Sequence, residues 1–116
     1  MLAYSPIAGG LLTGKYLNEN MPHDSRMTRV STIGDRVNKN AMKAVQEYMK
    51  ISKKFNIHPV HLALSFCTKR PFMGSVIFGA TTDEQLDVVI KGLDVDLNDE
   101  IMEEISLVYK NYALTF

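Results

Sequence analysis

Apolar positions recur along the chain with two different periods, and together they predict two strands and several helices. Residues 1–4 and 75–78 are short apolar runs closed by proline or glycine, as in buried strands. Apolar residues recur every three or four positions from Val37 to Phe55, which predicts an amphipathic helix opening near Asp35. Residues 59–69 are apolar on almost every side and predict a second, well-buried helix. Residues 17–34 show no period and predict a long loop.

Two further helices are predicted after the second strand from their opening signals. Thr81 with Glu84, or Thr82 with Gln85, has the spacing of a capping box. The sequence Asn98-Asp99-Glu100 is typical of the start of a last helix. The predicted inward-facing residues are Leu86, Val89, Ile90 and Leu93 in the first of these helices, and Ile101, Ile105 and Val108 in the last.

The order of these elements predicts an α/β fold. Strands that alternate with helices indicate parallel pairing. Parallel strands are normally covered on both faces and belong to sheets of many strands, which two strands cannot form alone. The chain is therefore expected to be a segment of a larger parallel sheet or barrel.

Charge and composition limit the classes of molecule that the chain is expected to bind. Among 116 residues, 13 Lys and Arg balance 13 Asp and Glu, which argues against a nucleic-acid partner and against a basic membrane-binding segment. No apolar run is long enough for a membrane helix, and the first residues lack the pattern of a signal peptide. The single cysteine, Cys67, cannot form an internal disulfide, which favours a cytoplasmic protein.

A glycine-rich segment from Gly9 to Tyr16 is the first candidate for chemistry. It comes close to the nucleotide-binding P-loop pattern, G-x-x-x-x-G-K-[ST], but Tyr16 stands where that loop has Ser or Thr to hold magnesium. Three interpretations stay open for this segment: a true P-loop, a glycine-rich turn without a ligand, and a phosphate-contacting loop of another type. Glycine suits the third because backbone can approach phosphate closely there.

A second candidate lies where the strand at 75–78 ends. Gly79-Ala80-Thr81 precedes a capped helix, so the segment is either an anion site at a helix N-terminus or an ordinary helix cap. His58 and His61 lack a further ligand at metal-binding spacing, and we expect a helix cap and a partly buried side chain. Cys67 lies in the apolar helix and is expected in the core rather than as a nucleophile.

Two long motifs resemble one known family. Residues 2–16 resemble the seventh strand and following loop of the aldo-keto reductases, and residues 75–86 resemble the eighth strand and helix. The branch with bacterial oxidoreductases and potassium-channel β subunits is the most similar. The helix at 59–69 with the following Arg70-Pro71-Phe72, and the pattern at 97–100, also fit. The resemblance implies that residues 1–116 are part of an aldo-keto reductase domain, namely strands 7 and 8 with their helices at the C-terminal end of a (β/α)8 TIM barrel.

The resemblance also implies an activity. Aldo-keto reductases reduce aldehydes and ketones to alcohols with NADPH, so NADP(H) is the expected cofactor and a small carbonyl compound the substrate of the complete enzyme. The family's catalytic Asp, Tyr, Lys and His come from earlier strands, and no tyrosine here matches the catalytic one by motif. We therefore expect no catalytic residue in this chain.

The cofactor-binding residues are carried over by position in the two motifs. The resemblance implies that Tyr4 stacks on the nicotinamide ring and that Lys15 and Arg26 approach phosphate groups. It further implies that the pyrophosphate is lined by Ser5, Pro6, Ile7, Ala8 and Gly9, and that the 2′-phosphate and adenosine are held by Gly79, Thr81 and Gln85. The sequence departs from the family at Val88-Val89, where Glu-Asn often binds the adenine.

Other functions remain open at this point. The chain could be a non-catalytic nucleotide-binding or oligomerising fragment, or the remnant of a truncated gene. Two barrel strands leave apolar edges that need cover. We therefore expect self-association or a complementing N-terminal part.

Overall fold

The described residues contain one small parallel sheet of two strands. The structure is a computed structural model that describes residues 1–30 and 37–113. Strands β1 (Leu2–Tyr4) and β2 (Ser75–Ile77) pair in parallel, with Ala3 opposite Val76. The parallel pairing predicted from the sequence is thus confirmed.

Helices make up most of the described chain. The five α-helices in these two ranges are α1 (Arg26–Arg29), α2 (Lys39–Lys54), α3 (Pro59–Thr68), α4 (Asp83–Lys91) and α5 (Asp99–Asn111). Short 3-10 segments lie at Ala8–Thr13, Leu17–Glu19 and Gly92–Asp94. The predicted loop at 17–34 therefore contains one 3-10 turn and α1. Its residues 31–34, and Asp35 at the predicted helix start, lie outside the described residues.

The four longer helices each begin at a side-chain cap. A side-chain acceptor satisfies a backbone N–H that the first helical turn leaves unpaired. The four caps are Asn38 to the Ala41 N–H at 2.8 Å, His58 to Val60 at 3.2 Å, Thr82 to Gln85 at 3.3 Å and Asn98 to Ile101 at 2.9 Å. The helix starts predicted after His58, Thr82 and Asn98 are confirmed, whereas α2 begins after Asn38.

Helix α3 lies at the centre of the fold. No residue between 59 and 68 is exposed, as the apolar pattern predicted. One side of α3 contributes Leu62 to a core with α2 and α5, whose buried members are Ala44, Ile51, Ile101, Ile105 and Val108. The other side contributes Val60 and Leu64, which pack with Val89 of α4 and Val76 of β2. The inward-facing prediction for α5 is confirmed.

The strands are covered on one face only, so the prediction of two buried strands is wrong. Ala3 and Val76 are half-buried on the face toward the helices. Their neighbours point the other way and are largely exposed: Leu2 by 67%, Tyr4 by 76% and Ile77 by 48%. The alternation follows from the two-residue period of a strand. Nothing in the described residues covers the second face.

The inner face of α4 also differs from the prediction. Val89 is buried, but Leu86, Ile90 and Leu93 are exposed, and the second residue facing the core is Val88. Helix α4 contacts the rest of the fold mainly through α3. This contact covers Val88 and Val89 but not the other apolar residues of α4. The remaining apolar side chains therefore stay in solvent.

None of the helices in the described residues combines the length and the hydropathy needed to cross a membrane. The longest, α2, has 16 residues.

Candidate cofactor site

Both candidate loops leave the sheet at the same edge. The strands are parallel, so their carboxyl ends lie side by side. The backbone N–H of Ser5 donates to the carbonyl oxygen of Ile77 at 3.2 Å, directly where the two loops begin. In parallel α/β folds this edge is the usual place for a ligand.

The loop after β1 is held in a closed turn by its own hydrogen bonds. The N–H of Ala8 donates to the Ser5 carbonyl at 2.9 Å, that of Gly10 to the Ile7 carbonyl at 2.9 Å, and that of Gly9 to Ser5 Oγ at 3.2 Å. Ser5 and Ala8 have positive φ angles of 56° and 49°, which cost energy for residues with a Cβ atom. The turn is therefore formed before any ligand binds.

Lys15 folds back over this turn. A Cβ atom at Gly10, where φ is +98°, would lie 3.0 Å from Lys15 Cε and 3.2 Å from Lys15 Nζ. Glycine at position 10 thus makes room for the lysine side chain, whose ammonium lies 5.0 Å from the centre of the Tyr16 ring. The result is a positive charge next to a glycine-rich backbone, the kind of surface that binds phosphate.

The P-loop interpretation of this segment is wrong. A P-loop needs an α-helix directly after the lysine, so that backbone N–H groups point at the phosphates. Here Lys15 is followed by the 3-10 turn Leu17–Glu19, with Asn18 in a left-handed conformation. The glycine-rich turn and the other type of phosphate loop remain compatible with this geometry.

Tyr16 lies beneath the turn and is only 3% exposed. Its hydroxyl accepts the backbone N–H of Met27 at 3.4 Å. Burial alone would raise the pKa of Tyr16, but hydrogen bonds from Ser25 and Met27 and the charge of Lys15 together lower it. The sequence did not predict this contact of Tyr16, because no local pattern links it to a partner eleven residues away.

Arg26 is the exposed first residue of α1. Met27, its neighbour, is buried against Leu11 and Tyr16, so α1 packs on the glycine-rich segment. Arg29, at the end of α1, pairs with Asp24 at 2.6 Å in solvent. Helix α1, which begins with Arg26, is thus attached to the glycine-rich segment through the contact between Tyr16 and Met27, which the sequence did not predict.

The loop after β2 is open and exposed. No atom lies within 4 Å of the Cβ that a larger residue would have at Gly79, so packing within the chain does not require glycine there. Gln85 Oε1 accepts from the Thr81 N–H at 3.0 Å and from the Thr81 hydroxyl at 3.1 Å. Because the backbone N–H can only donate, Oε1 faces Thr81, and Nε2 of Gln85 is left as a donor. The helix-cap interpretation of this segment is also correct, with Thr82 as the cap.

Two valines occupy the part of α4 where the family resemblance places the adenine contacts. Val89 is buried against Val60 and Leu64. The carbonyl of Val88 lies 2.8 Å from His61 Nε2, which orients this turn toward α3. The side chains of Val88 and Val89 pack against apolar neighbours and have no polar group that could hydrogen-bond a base.

A mostly apolar cavity of about 640 Å³ lies beside β1, on the side of α2, α3 and α5. Its lining includes Tyr4 and Ser5 at the end of β1, together with Tyr48, Phe66 and Cys67. Cys67 is partly buried rather than in the core as expected, and burial raises the pKa of its thiol.

The two histidines have structural contacts. His58 caps α3 and His61 is partly buried, as predicted, with its Nε2 2.8 Å from the Val88 carbonyl oxygen. In the described residues no three His, Cys, Asp or Glu side chains are grouped to hold a metal ion.

Comparison with known proteins identifies the family. Residues 1–110 match the Aldo/keto reductase family. Protein tas of Escherichia coli (strain K12) is 37% identical over 97% of this chain and 33% of its own length. A probable voltage-gated potassium channel subunit beta of rice (Oryza sativa subsp. japonica) is 31% identical over 96% of the chain and 35% of its own length. The uncharacterized oxidoreductase YrpG of Bacillus subtilis (strain 168) is 28% identical over 94% of the chain and 32% of its own length.

The chain therefore spans about a third of the length of the curated relatives that it matches. The agreement extends over nearly the whole chain and includes both loops at the carboxyl edge of the sheet. This chain belongs to the aldo/keto reductase family.

Proposed function

We propose that this chain is part of an NADPH-dependent aldo-keto reductase that reduces aldehydes and ketones to alcohols. It corresponds to strands seven and eight of a (β/α)8 barrel and supplies part of the cofactor site. The observation that carries the proposal is the parallel pairing of β1 with β2, since it brings a glycine-rich loop and a capped helix start to one edge. The relatives' length, about three times that of this chain, supports the role of a part within a larger domain.

The first loop fits the nicotinamide and phosphate end of the cofactor. Tyr4, exposed at the end of β1, offers an aromatic face on which the nicotinamide ring stacks. Lys15 and Arg26 supply positive charge for phosphate. The remaining residues of this end line the pyrophosphate, mainly through their backbone: Ser5, Pro6, Ile7, Ala8 and Gly9.

The second loop fits the 2′-phosphate and adenosine end. Gly79 leaves open space beside the backbone, Thr81 brings a hydroxyl, and Gln85 brings an amide donor. Glu84 lies in the first turn of α4, and the negative charge of its carboxylate opposes an anion here. We therefore assign most of the phosphate affinity to the first loop.

NADPH, when bound, supplies the hydride for carbonyl reduction. The residues of this chain bind and orient the cofactor, and the acid that protonates the carbonyl oxygen comes from the rest of the domain. We expect the purified 116-residue chain to show no turnover of a generic aldehyde with NADPH. Turnover by the pure chain would contradict the proposal that the catalytic acid comes from the rest of the domain.

The uncovered face of the sheet supports a complementing N-terminal part as partner. Leu2, Tyr4 and Ile77 present apolar surface on the side away from the helices. In a closed barrel, the side chains of the other strands cover this surface.

The same exposed surface favours the second candidate function, a non-catalytic fragment that self-associates. Light scattering after size exclusion separates the two. A stable homo-oligomer without a partner favours the second, whereas assembly only with the preceding part of the domain favours the first.

A fluorescence titration with NADPH tests the cofactor site itself. We expect saturable binding that weakens about tenfold in Lys15→Ala, since a charge-assisted phosphate contact contributes about 1.5–3 kcal/mol. The matched control is Lys53→Ala, an exposed lysine in the last turn of α2, on the helical side of the fold. Absence of saturable binding, or equal loss in both variants, would contradict the proposal.

A further inference from the structure

The buried hydroxyl of Tyr16 is not accounted for by the family assignment or by the proposed cofactor contacts. It is almost fully buried, yet its hydroxyl has polar partners. A phenylalanine would fill the same volume without burying a hydroxyl. The question is therefore what the hydroxyl oxygen does.

The hydroxyl caps α1 from a distant position in the chain. Met27 is the second residue of α1, so its N–H has no acceptor within the helix. Ser25 is the N-cap residue, but its side chain does not make the capping hydrogen bond. The Met27 N–H donates to Tyr16 instead, at 3.4 Å.

The segment that this contact holds is a folded turn. Thr28 Oγ1 donates to the Ser25 carbonyl at 2.7 Å, and the Arg29 N–H donates to the same oxygen at 3.1 Å. Ser25 is only 7% exposed. The turn is therefore ordered internally, and Tyr16 with Met27 fixes it to the glycine-rich loop.

The same tyrosine also touches Lys15. The Lys15 ammonium lies 5.0 Å from the ring centre, and its charge lowers the pKa of the phenol. The ring thus orients one cation, and the hydroxyl holds the turn that carries Arg26. The buried Tyr16 side chain therefore contacts both Lys15 and the helix that begins with Arg26.

We propose that Tyr16 is a positioning residue that sets the placement of Lys15 relative to Arg26, so that both cations act on one phosphorylated ligand. The inference rests on the proposed cofactor site. It assigns no contact between Tyr16 and the ligand.

The test removes only the hydroxyl. In Tyr16→Phe we expect the Met27 amide to exchange with deuterium about three- to tenfold faster, and the affinity for NADPH to fall about three- to tenfold, the loss typical of one hydrogen bond. The matched control is Tyr48→Phe, a half-buried tyrosine of α2 in the apolar cavity, which should change neither readout. A general loss of structure would appear as faster exchange in α3 as well.

The outcomes separate this inference from the proposed function. If the unaltered chain does not bind NADPH, the proposed function fails, and this inference fails with it. If the unaltered chain binds but Tyr16→Phe binds equally well, or leaves Met27 exchange unchanged, only this inference fails. Faster exchange together with weaker binding, absent in Tyr48→Phe, supports it.

Discussion

The two loops at the carboxyl edge of the sheet are built in opposite ways. The loop after β1 is closed by hydrogen bonds from Ala8, Gly9 and Gly10 and packs over buried Leu11 and Tyr16. The loop after β2 is exposed from Phe78 to Glu84 and has open space beside Gly79. Both lie beside the same pair of strands, so the sheet does not cause the difference.

The difference shows where order comes from in each loop. The first loop has its own small core and keeps its shape without a ligand, which reduces the entropy lost on binding. The second loop has a helix cap and a glutamine contact but no core. A ligand that spans both loops would therefore meet a preformed site at one end and would order the other end itself.

The largest expected effect comes from removing the small core below the first loop. Leu11 is 2% exposed and packs with Tyr16, Met27 and Val45. Leu11→Ala should lower the free energy of unfolding by about 2–5 kcal/mol, because it leaves a cavity. Leu86→Ala, at the exposed start of α4, should cost less than about 1 kcal/mol. Urea denaturation measures both, and equal costs would contradict the contrast between the loops.

A pair of glycine substitutions sharpens the comparison. Gly10→Ala places a Cβ atom at a φ of +98° and against Lys15, so it should lower the free energy of unfolding by more than about 1 kcal/mol. Gly79→Ala meets no atom within 4 Å and should change it by less than about 0.5 kcal/mol. If the space beside Gly79 belongs to the cofactor, Gly79→Ala should nevertheless weaken NADPH binding. Thermal melts and a titration check the two effects, and a destabilised Gly79→Ala would count against the open loop.

The cap of the second loop gives a smaller effect. Thr82 accepts the Gln85 N–H at the start of α4. Thr82→Ala should cost about 1 kcal/mol of stability, and Thr82→Ser should keep most of it, because the hydroxyl is retained. Chemical denaturation of the two variants checks this, and equal losses in both would show that the hydroxyl is not the stabilising group.

The smallest effect concerns α3, which supports both strands. Burial and the neighbouring His61 lower the pKa of His58, so the folded chain favours its neutral form. Neutral Nδ1 caps α3 by accepting the Val60 N–H, and protonation removes that acceptor. This stability is therefore present above the ordinary histidine pKa and is lost as the pH falls below it, by up to about 1 kcal/mol.

Substitution by asparagine isolates the His58 contribution. His58→Asn keeps a cap that does not titrate, so melting temperatures measured between pH 7.5 and 5.5 should depend less on pH than in the unaltered chain. A pH dependence that persists in His58→Asn would show that another group is responsible.

Local signals in the sequence predicted the skeleton of the fold. The caps His58, Thr82 and Asn98 and the inward face of α5 depend on neighbours within one turn, and all are confirmed. The prediction of buried strands was wrong because strand burial depends on what lies beyond the sheet, as Leu2 and Ile77 show. The inner face of α4 was wrong because an apolar stripe does not reveal how much of it the neighbouring helix covers.

In the candidate site, too, some features could be predicted from the sequence and others could not. Glycine-rich turns and Lys15 could be recognised from motifs, and the structure shows a loop that fits them. The role of Tyr16 could not be recognised, because its hydrogen bond with Met27 spans a segment in which apolar residues show no periodicity. The assignment of Lys15 and of every other predicted site residue to the cofactor stays a prediction.

The central claim is that the two loops bind one dinucleotide together, and amide chemical shifts during an NADPH titration test it most directly. We expect the amides of residues 5–10 and 79–85 to shift together, with one dissociation constant, while those of α5 stay unchanged. Shifts confined to one loop, or no saturable shifts in either, would contradict the claim.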